Sequence, residues 1–127
     1  LVKYDNSKQS VSELSGGNVQ KLIVGREFDY DPDLLIMNQP TRGIDVGAIE
    51  FIRKKIVDMR ARKKAILLVS ADLSEILSLS DTILVMHEGR IVGHISDVKN
   101  TSENDLGLYM LGVKEDSKEQ IGGAYCE

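Results

Sequence analysis

The sequence contains no tryptophan, two prolines and one cysteine, Cys126, among its 127 residues. A single cysteine excludes an internal disulfide, and with only two histidines, His87 and His94, there is no Cys/His cluster at zinc spacing. Low proline content, 42% hydrophobic residues and the absence of low-complexity runs argue against a disordered chain. We therefore predict a globular chain in a reducing compartment, with no metal site. Neither histidine nor the cysteine is assigned a role.

The sequence also lacks a basic excess and a long apolar run. Acidic residues outnumber basic ones 20 to 16, giving a formal charge of −4, so no domain-wide positive field favours nucleic acid. Basic residues do cluster in residues 53–64, but on a helix of an acidic chain they indicate a solvated face. The longest apolar run, residues 65–69, is far below the ~20 residues of a membrane-spanning helix. Any membrane role is therefore expected to be peripheral.

The spacing of apolar residues predicts alternating helices and strands. Helical spacing begins near the two glycines at 16–17 and recurs over residues 46–62 and 73–79. The continuous apolar runs 34–37 and 65–69 are typical of buried parallel strands, and residues 82–86 are predicted as a third strand. This alternation predicts an α/β fold, with a parallel sheet and crossover helices.

The C-terminal part predicts an antiparallel hairpin. Glu88-Gly89 is expected to join residues 83–86 to 91–95, with Gly89 at positive φ, so that an antiparallel strand closes the sheet. A last short helix is expected over residues 106–111. Residues 117–127 are expected to form a loose tail.

A glycine-rich segment, Leu14-Ser15-Gly16-Gly17-Asn18, opens the first predicted helix. The glycines carry no Cβ that would obstruct a ligand, and the helix N-terminus offers unpaired N–H groups and a partial positive charge. Together with the Ser15 hydroxyl, this arrangement suits an anionic oxygen such as that of a phosphate. Taken alone, Ser-Gly-Gly before a helix is more often only an N-cap with a tight turn.

A second segment follows, Met37-Asn38-Gln39-Pro40-Thr41-Arg42-Gly43-Ile44-Asp45. Together, the two segments resemble the C-terminal half of an ATP-binding cassette (ABC) transporter nucleotide-binding domain. That family has a Leu-Ser-Gly-Gly signature, a helix, a Walker B strand ending in Asp-Glu-Pro-Thr, a D-loop, and a strand ending in a switch histidine. The resemblance runs from about residue 14 to residue 95. It is strongest to the second cassette of tandem importers of sugars and nucleosides, with the nucleoside branch favoured.

The resemblance implies a P-loop NTPase (ABC ATPase) fold, of which this chain would be a part. Residues 1–30 would hold the signature and the end of the helical subdomain. Residues 31–97 would form the rest of the catalytic core, and residues 98–127 a C-terminal helix and tail. A start at Leu1 rather than Met fits a piece of a longer polypeptide.

The sequence departs from the family at three catalytic positions. Asn38 and Gln39 stand where the family has the Walker B Asp and the catalytic Glu, and Ala71 stands at the switch histidine. Uncharged amides cannot hold Mg²⁺ as the Asp does or act as a base as the Glu does, a contribution worth roughly 10²–10⁴-fold in rate. The sequence has no Gly-x-x-x-x-Gly-Lys-Ser/Thr motif either. We expect this chain alone to be inactive. Natural decay and engineered replacement of the acids both fit the pattern.

In the family, two cassettes sandwich two ATP molecules head to tail, so a cassette without its own acids can still serve its partner. The resemblance implies that this chain contacts the partner's ATP through its signature residues, Ser15, Gly16, Gly17, Asn18 and Gln20. Asp45, in the D-loop, would order the interface. ATP and Mg²⁺ are expected in the assembled protein only. The implied partners are an N-terminal cassette of the same polypeptide, permease subunits and, indirectly, a substrate-binding protein, at the cytoplasmic face of the membrane.

Two other function classes stay open at this point. A cassette protein of translation or DNA maintenance uses the same motifs to drive conformational switching, and an isolated piece could be a catalytically inert interaction module. Residues 42–48 and the acidic balance favour the importer. The transported substrate is not encoded here, because the binding protein and the permease select it.

Overall fold

A computed structural model of the chain describes residues 2–3 and 5–122. The chain divides into two compact units. The first is Leu1–Ser70 and the second is Ala71–Glu127. The first contains a 3-10 turn at Val11–Glu13, then α1 (Gly16–Asp29), β1 (Leu34–Asn38), α2 (Val46–Ala61) and β2 (Ala65–Val69). The second contains α3 (Leu73–Leu79), β3 (Ile83–His87), β4 (Arg90–Ile95), a 3-10 turn at Val98–Asn100, α4 (Glu103–Met110) and α5 (Lys118–Gly122).

In the first unit, β1 and β2 pair in parallel, from Leu34 opposite Ala65 to Asn38 opposite Val69. Parallel strands need a long crossover, and α2 provides it, as the alternating pattern predicts. The buried residues of α2 recur at helical spacing, at Ile52, Ile56 and Met59. The parallel sheet with a crossover helix is therefore confirmed.

One face of this sheet is more buried than the other: it is buried along β1 and half-buried along β2. Residues alternate between exposed and buried along β1, where Leu35 and Met37 are the buried pair. The other face is apolar and exposed, at Leu34, Ile36, Leu67 and Val69. The expectation of fully buried strands is thus wrong for this face.

In the second unit, β3 and β4 form an antiparallel hairpin. Its turn residues Glu88 and Gly89 have φ of 47° and 76°, the pair of positive values of a type I′ turn. The predicted hairpin and the positive φ of Gly89 are confirmed. However, β3 and β4 form a two-stranded sheet of their own, so the expectation that the hairpin closes the parallel sheet is corrected. A tight turn gives β3 an immediate partner in β4, and no other described strand pairs with it.

Two helices follow the hairpin. α4 starts with a capping box between Ser102 and Asp105, and its Leu106 and Tyr109 are buried in the core that the hairpin forms. Residues 117–127 were expected to form a loose tail, but Lys118–Gly122 form α5. Ser117 and Gln120 exchange hydrogen bonds of 2.9 and 3.2 Å between their side chains and backbone N–H groups, which is again a capping box. The predicted tail residues 123–127, with Cys126, lie outside the described residues.

Between residues 5 and 122, no helix is long and apolar enough to cross a membrane.

Candidate functional site

The glycine-rich segment forms the N-terminus of α1. Ser15 is the N-cap, with φ −60° and ψ 151°, and its hydroxyl accepts a hydrogen bond from the Asn18 N–H at 3.4 Å. Both Ser15 and Gly16 are exposed. A Cβ added to Gly16 would have nothing within 4 Å, so packing does not require glycine there. The helix N-terminus is accessible, and Gly16 leaves room for a group that approaches its backbone.

Gly17 differs from Gly16 because it lies against the β1–α2 loop, residues 39–45. A Cβ on Gly17 would be 3.1 Å from the Gly43 carbonyl oxygen, so only glycine allows this close approach without a shift. One turn further along α1, the Gln20 side-chain amide donates to the Pro40 carbonyl at 3.3 Å. The Gln20 amide thus bonds to this loop, and the contact of Gln20 with ATP stays a prediction.

The β1–α2 loop starts with a left-handed residue. Gln39 has φ of 51°, a conformation that is uncommon outside glycine. Its N–H donates to the Val69 carbonyl at 2.8 Å, and its own carbonyl accepts from the Arg42 N–H at 3.2 Å. These bonds fix the backbone at the carboxyl end of β1. Asn38 is exposed there and Gln39 is half-buried.

The loop ends at Asp45, which is bonded on both carboxylate oxygens. Oδ1 caps α2 by accepting from the Ala48 N–H at 2.9 Å, and Oδ2 pairs with the Lys21 ammonium of α1. The hydrogen bond from Lys21, followed by that from Ala48, holds the pKa of Asp45 below its ordinary value. Asp45 therefore carries its charge at neutral pH, although its predicted role at a protein interface is not tested.

The carboxyl end of β1 carries amide side chains, at Asn38 and Gln39, and no carboxylate. Nucleotide-bound Mg²⁺ is usually held with the help of one or two carboxylates, and uncharged amides do not supply that charge. The described residues contain no group of three or more His, Cys, Asp or Glu that could hold a metal ion. Ala71, the third departure, is an exposed methyl in the second unit and can neither donate nor accept a hydrogen bond from its side chain. The structure brings residues 15–17 and 39–45 together.

Sequence reasoning missed the surroundings of Ser15. An open depression of about 330 Å³ lies beside it, lined by polar residues that include Lys3, Glu13 and Asn18. The Lys3 N–H donates to Asn18 Oδ1 at 3.1 Å, so the segment before the 3-10 turn packs on the first turn of α1. It also missed Lys21, whose pairing with Asp45 spans 24 residues of sequence. No local pattern predicts such a pair.

The sequence is similar to part of several import ATP-binding proteins. It is 52% identical over 110 residues to the guanosine import ATP-binding protein NupO of Bacillus subtilis, covering 87% of this chain and 21% of that protein. It is 52% identical to the nucleoside import ATP-binding protein NupA of Lactococcus lactis, over 81% of this chain and 20% of that one. The glucose import ATP-binding protein TsgD13 of Haloferax volcanii is 49% identical, over 86% of this chain and 20% of that protein. No protein-family model matches the chain.

The fold matches solved ATP-binding cassettes. One is the ATP-binding subunit of an ABC transporter, with a TM-score of 0.72 over 80% of this chain and 45% of that one. This chain corresponds in sequence and fold to part of an ABC-type ATP-binding cassette. A second cassette, solved without nucleotide, has a TM-score of 0.57 over 91% of this chain and 42% of that one. Both are 22% identical to this cassette segment and establish its fold alone. The segment spans about a fifth of the length of the curated relatives that it matches.

Proposed function

We propose that this chain is part of the ATP-binding subunit of an ABC importer that energises the uptake of nucleosides or sugars. The similarity to import ATP-binding proteins supports this class, and the two relatives at 52% identity are named for guanosine and nucleoside import. Relatives named for glucose and ribose import are 49% and 42% identical. The nucleoside branch is therefore the favoured one.

One observation carries the proposed role within that subunit. An accessible helix N-terminus at residues 15–17 stands beside a strand end, Asn38-Gln39, that carries no charge. The first feature suits the phosphate of a nucleotide, whereas the second has no carboxylate that could hold Mg²⁺ or activate water for hydrolysis. The phosphate is therefore that of an ATP held by a partner cassette, which supplies the acidic residues.

In this arrangement the signature residues act on the partner's ATP. The backbone N–H groups of Gly16 and Gly17 and the Ser15 hydroxyl donate to phosphate oxygens, and the dipole of α1 favours the negative charge there. Asn18 and Gln20 complete the signature contacts with this ATP, and within the chain Asn18 accepts a hydrogen bond from Lys3 while Gln20 donates one to Pro40. ATP, bound with Mg²⁺ by the partner cassette, supplies the free energy of hydrolysis. The assembled protein has one working site and one that binds ATP without turning it over.

The remaining parts of the proposal concern the whole protein. Residues 1–30 hold the signature and the end of a helical subdomain, residues 31–97 the rest of a catalytic core, and residues 98–127 a C-terminal helix and tail. The partner cassette is the N-terminal one of the same polypeptide. Permease subunits and a substrate-binding protein complete the importer, and the cassettes lie at the cytoplasmic face of the membrane.

Steady-state ATP hydrolysis by the intact tandem-cassette protein, assembled with its permease, tests the proposal. Ser15→Arg puts a bulky cation at the accessible N-cap and should abolish turnover, whereas Gln39→Ala should leave it unchanged. Ser7→Arg is the matched control, because it makes the same change at another exposed serine of the first unit. Wild-type turnover in Ser15→Arg, or loss of turnover in Gln39→Ala, would overturn the proposed division of roles.

A further inference from the structure

One face of α1 holds the glycine-rich segment against the β1–α2 loop. Gly17, Gln20 and Lys21 are spaced at i, i+3 and i+4, so they lie on the same side of the helix. Each contacts a different point of the loop: the Gly43 carbonyl, the Pro40 carbonyl and the Asp45 carboxylate. The loop is therefore fixed to α1 along its length.

Lys21 differs from an ordinary surface lysine in its burial. Its side chain is 12% exposed, whereas that of its partner Asp45 is 63% exposed. Most of the Lys21 side chain is thus covered, and its ammonium pairs with the Asp45 carboxylate. Because Asp45 also caps α2, its one carboxylate joins α1 and α2, the helices that come before and after β1 in the sequence.

We propose that Lys21 is a positioning residue for the ATP reaction: through Asp45 it fixes residues 15–17 and the β1–α2 loop as one rigid edge that meets the partner cassette. This inference rests on the proposed function. It assigns Lys21 a role that neither the glycine-rich pattern nor the strand-end pattern indicates. Lys21 does not touch the nucleotide and acts only through the loop.

The exposure of Asp45 argues for a positioning role over a stabilising one. Ion pairs with an exposed partner contribute little to the free energy of folding, since solvent screens them. A small error in the placement of a phosphate-binding segment, in contrast, can lower a rate by up to about a hundredfold. Removal of the pair is therefore expected to change turnover far more than stability.

The neighbouring basic residue of α1 provides a matched control. Arg26 pairs with Glu27 at 2.7 Å, and its side chain is 62% exposed. This pair joins adjacent residues of one helix and connects α1 to no other element. Arg26→Met thus removes an α1 ion pair without releasing the loop.

The test measures kcat and KM for ATP, together with thermal unfolding, in the intact tandem-cassette protein with its permease. Lys21→Met removes the charge and keeps the stem. Asp45→Ser removes the pair and keeps an N-cap acceptor for the Ala48 N–H, so that α2 retains its cap. Lys21→Arg is the conservative variant, and Ser15→Arg is included as the test of the proposed function.

We expect Lys21→Met and Asp45→Ser each to lower kcat by about ten- to a hundredfold with little change in KM. The double variant should be no slower than either single one, because both remove the same interaction. Lys21→Arg should recover most of kcat, and Arg26→Met should match the wild type. The unfolding temperature of Lys21→Met should stay close to that of the wild type, whereas that of Asp45→Ser should fall, because the largely covered Lys21 loses its carboxylate partner.

The test distinguishes failure of the positioning role of Lys21 from failure of the proposed function. If Ser15→Arg abolishes turnover while Lys21→Met keeps the wild-type kcat, the positioning role is wrong and the proposed function stands. If Ser15→Arg leaves turnover intact, the proposed function is wrong, and the positioning role falls with it. Multiplicative losses in the double variant, or a kcat of Lys21→Arg as low as that of Lys21→Met, would also overturn the positioning role.

Discussion

Substitution of the two glycines in the first turn of α1 is expected to separate an effect on stability from an effect on ATP turnover. A methyl group on Gly16 would meet nothing within 4 Å, and Gly16 does not have positive φ. Gly16→Ala therefore should stabilise the chain by about 0.4–1 kcal/mol, because alanine lowers the entropy of the unfolded state. A methyl group on Gly17 would be 3.1 Å from the Gly43 carbonyl oxygen.

The cost of that contact follows from overpacking. Forcing an extra methyl group against fixed neighbours costs about 1–3 kcal/mol, which the same entropic gain partly offsets. Gly17→Ala should thus be neutral to about 2.6 kcal/mol less stable than the wild type. Gly16→Ala, in contrast, should gain stability yet lower ATP turnover in the intact protein by about tenfold or more, because its methyl group occupies the approach of the phosphate.

Urea unfolding of this chain followed by circular dichroism measures the first effect, and steady-state ATP hydrolysis of the intact protein measures the second. A loss of stability in Gly16→Ala would show that the space beside residue 16 is not open. A stabilised Gly16→Ala variant with wild-type turnover would show that no ligand approaches there, and the phosphate-binding role of the segment would be refuted.

Three further predictions concern the stability of this chain. Tyr109→Phe removes a 2.6 Å hydrogen bond to the Asp116 carboxylate and should cost about 1.5–3 kcal/mol at neutral pH in urea unfolding. Burial raises the pKa of Asp116, but the hydrogen bonds from Tyr109 and a backbone N–H outweigh burial and hold the pKa below the ordinary 3.8. The stability lost in Tyr109→Phe should therefore shrink as the pH falls below 3.8. Lys64→Met removes ion pairs with Asp33 and Asp31, at 2.8 and 3.7 Å, and a hydrogen bond to the Asp31 carbonyl. Lys64 lowers the pKa of Asp33 by its hydrogen bond, so the loss of stability should be largest at neutral pH and shrink in acid, and a pH-independent loss would contradict the pairing. Leu106→Ala, at a residue 1% exposed, should cost about 2–5 kcal/mol, and a loss below 1 kcal/mol would show that the hairpin core is not packed there.

The spacing of apolar residues predicted the helices and strands because burial determines both. β2 and α3 have the predicted bounds, and α2 ends one residue earlier than predicted. Such elements depend on local periodicity, which the sequence shows directly. The turn at Glu88 and Gly89 was predictable for the same reason, since its glycine fits a two-residue hairpin turn.

Two features of the fold were missed for different reasons. The capping box of Ser117 and Gln120 is a local signal, and the polar composition of the tail obscured it. The separate sheet of β3 and β4 was not predictable from periodicity, because a strand pattern does not specify which strand is its neighbour.

The residues proposed for the candidate site come from sequence motifs, whereas their contacts could not be predicted from those motifs. Residues 15–17 and Asp45 were identified from their motifs, whereas Lys21 was not, because one lysine among 16 basic residues gains its partner only on folding. The bond from the Gln20 amide to the Pro40 carbonyl was likewise not predictable from the motif. The difference between Gly16 and Gly17 likewise depends on a loop that is distant in sequence.

The central claim is that this cassette segment serves a partner's ATP while its own site is inert. Rapid quench of the intact protein, saturated with radiolabelled ATP and isolated from excess nucleotide, tests it most directly. The account predicts that half of the bound nucleotide becomes ADP in the fast phase and the other half stays ATP through many turnover times. Conversion of both bound nucleotides at the same rate would contradict the account, because Asn38 and Gln39 would then belong to a working site.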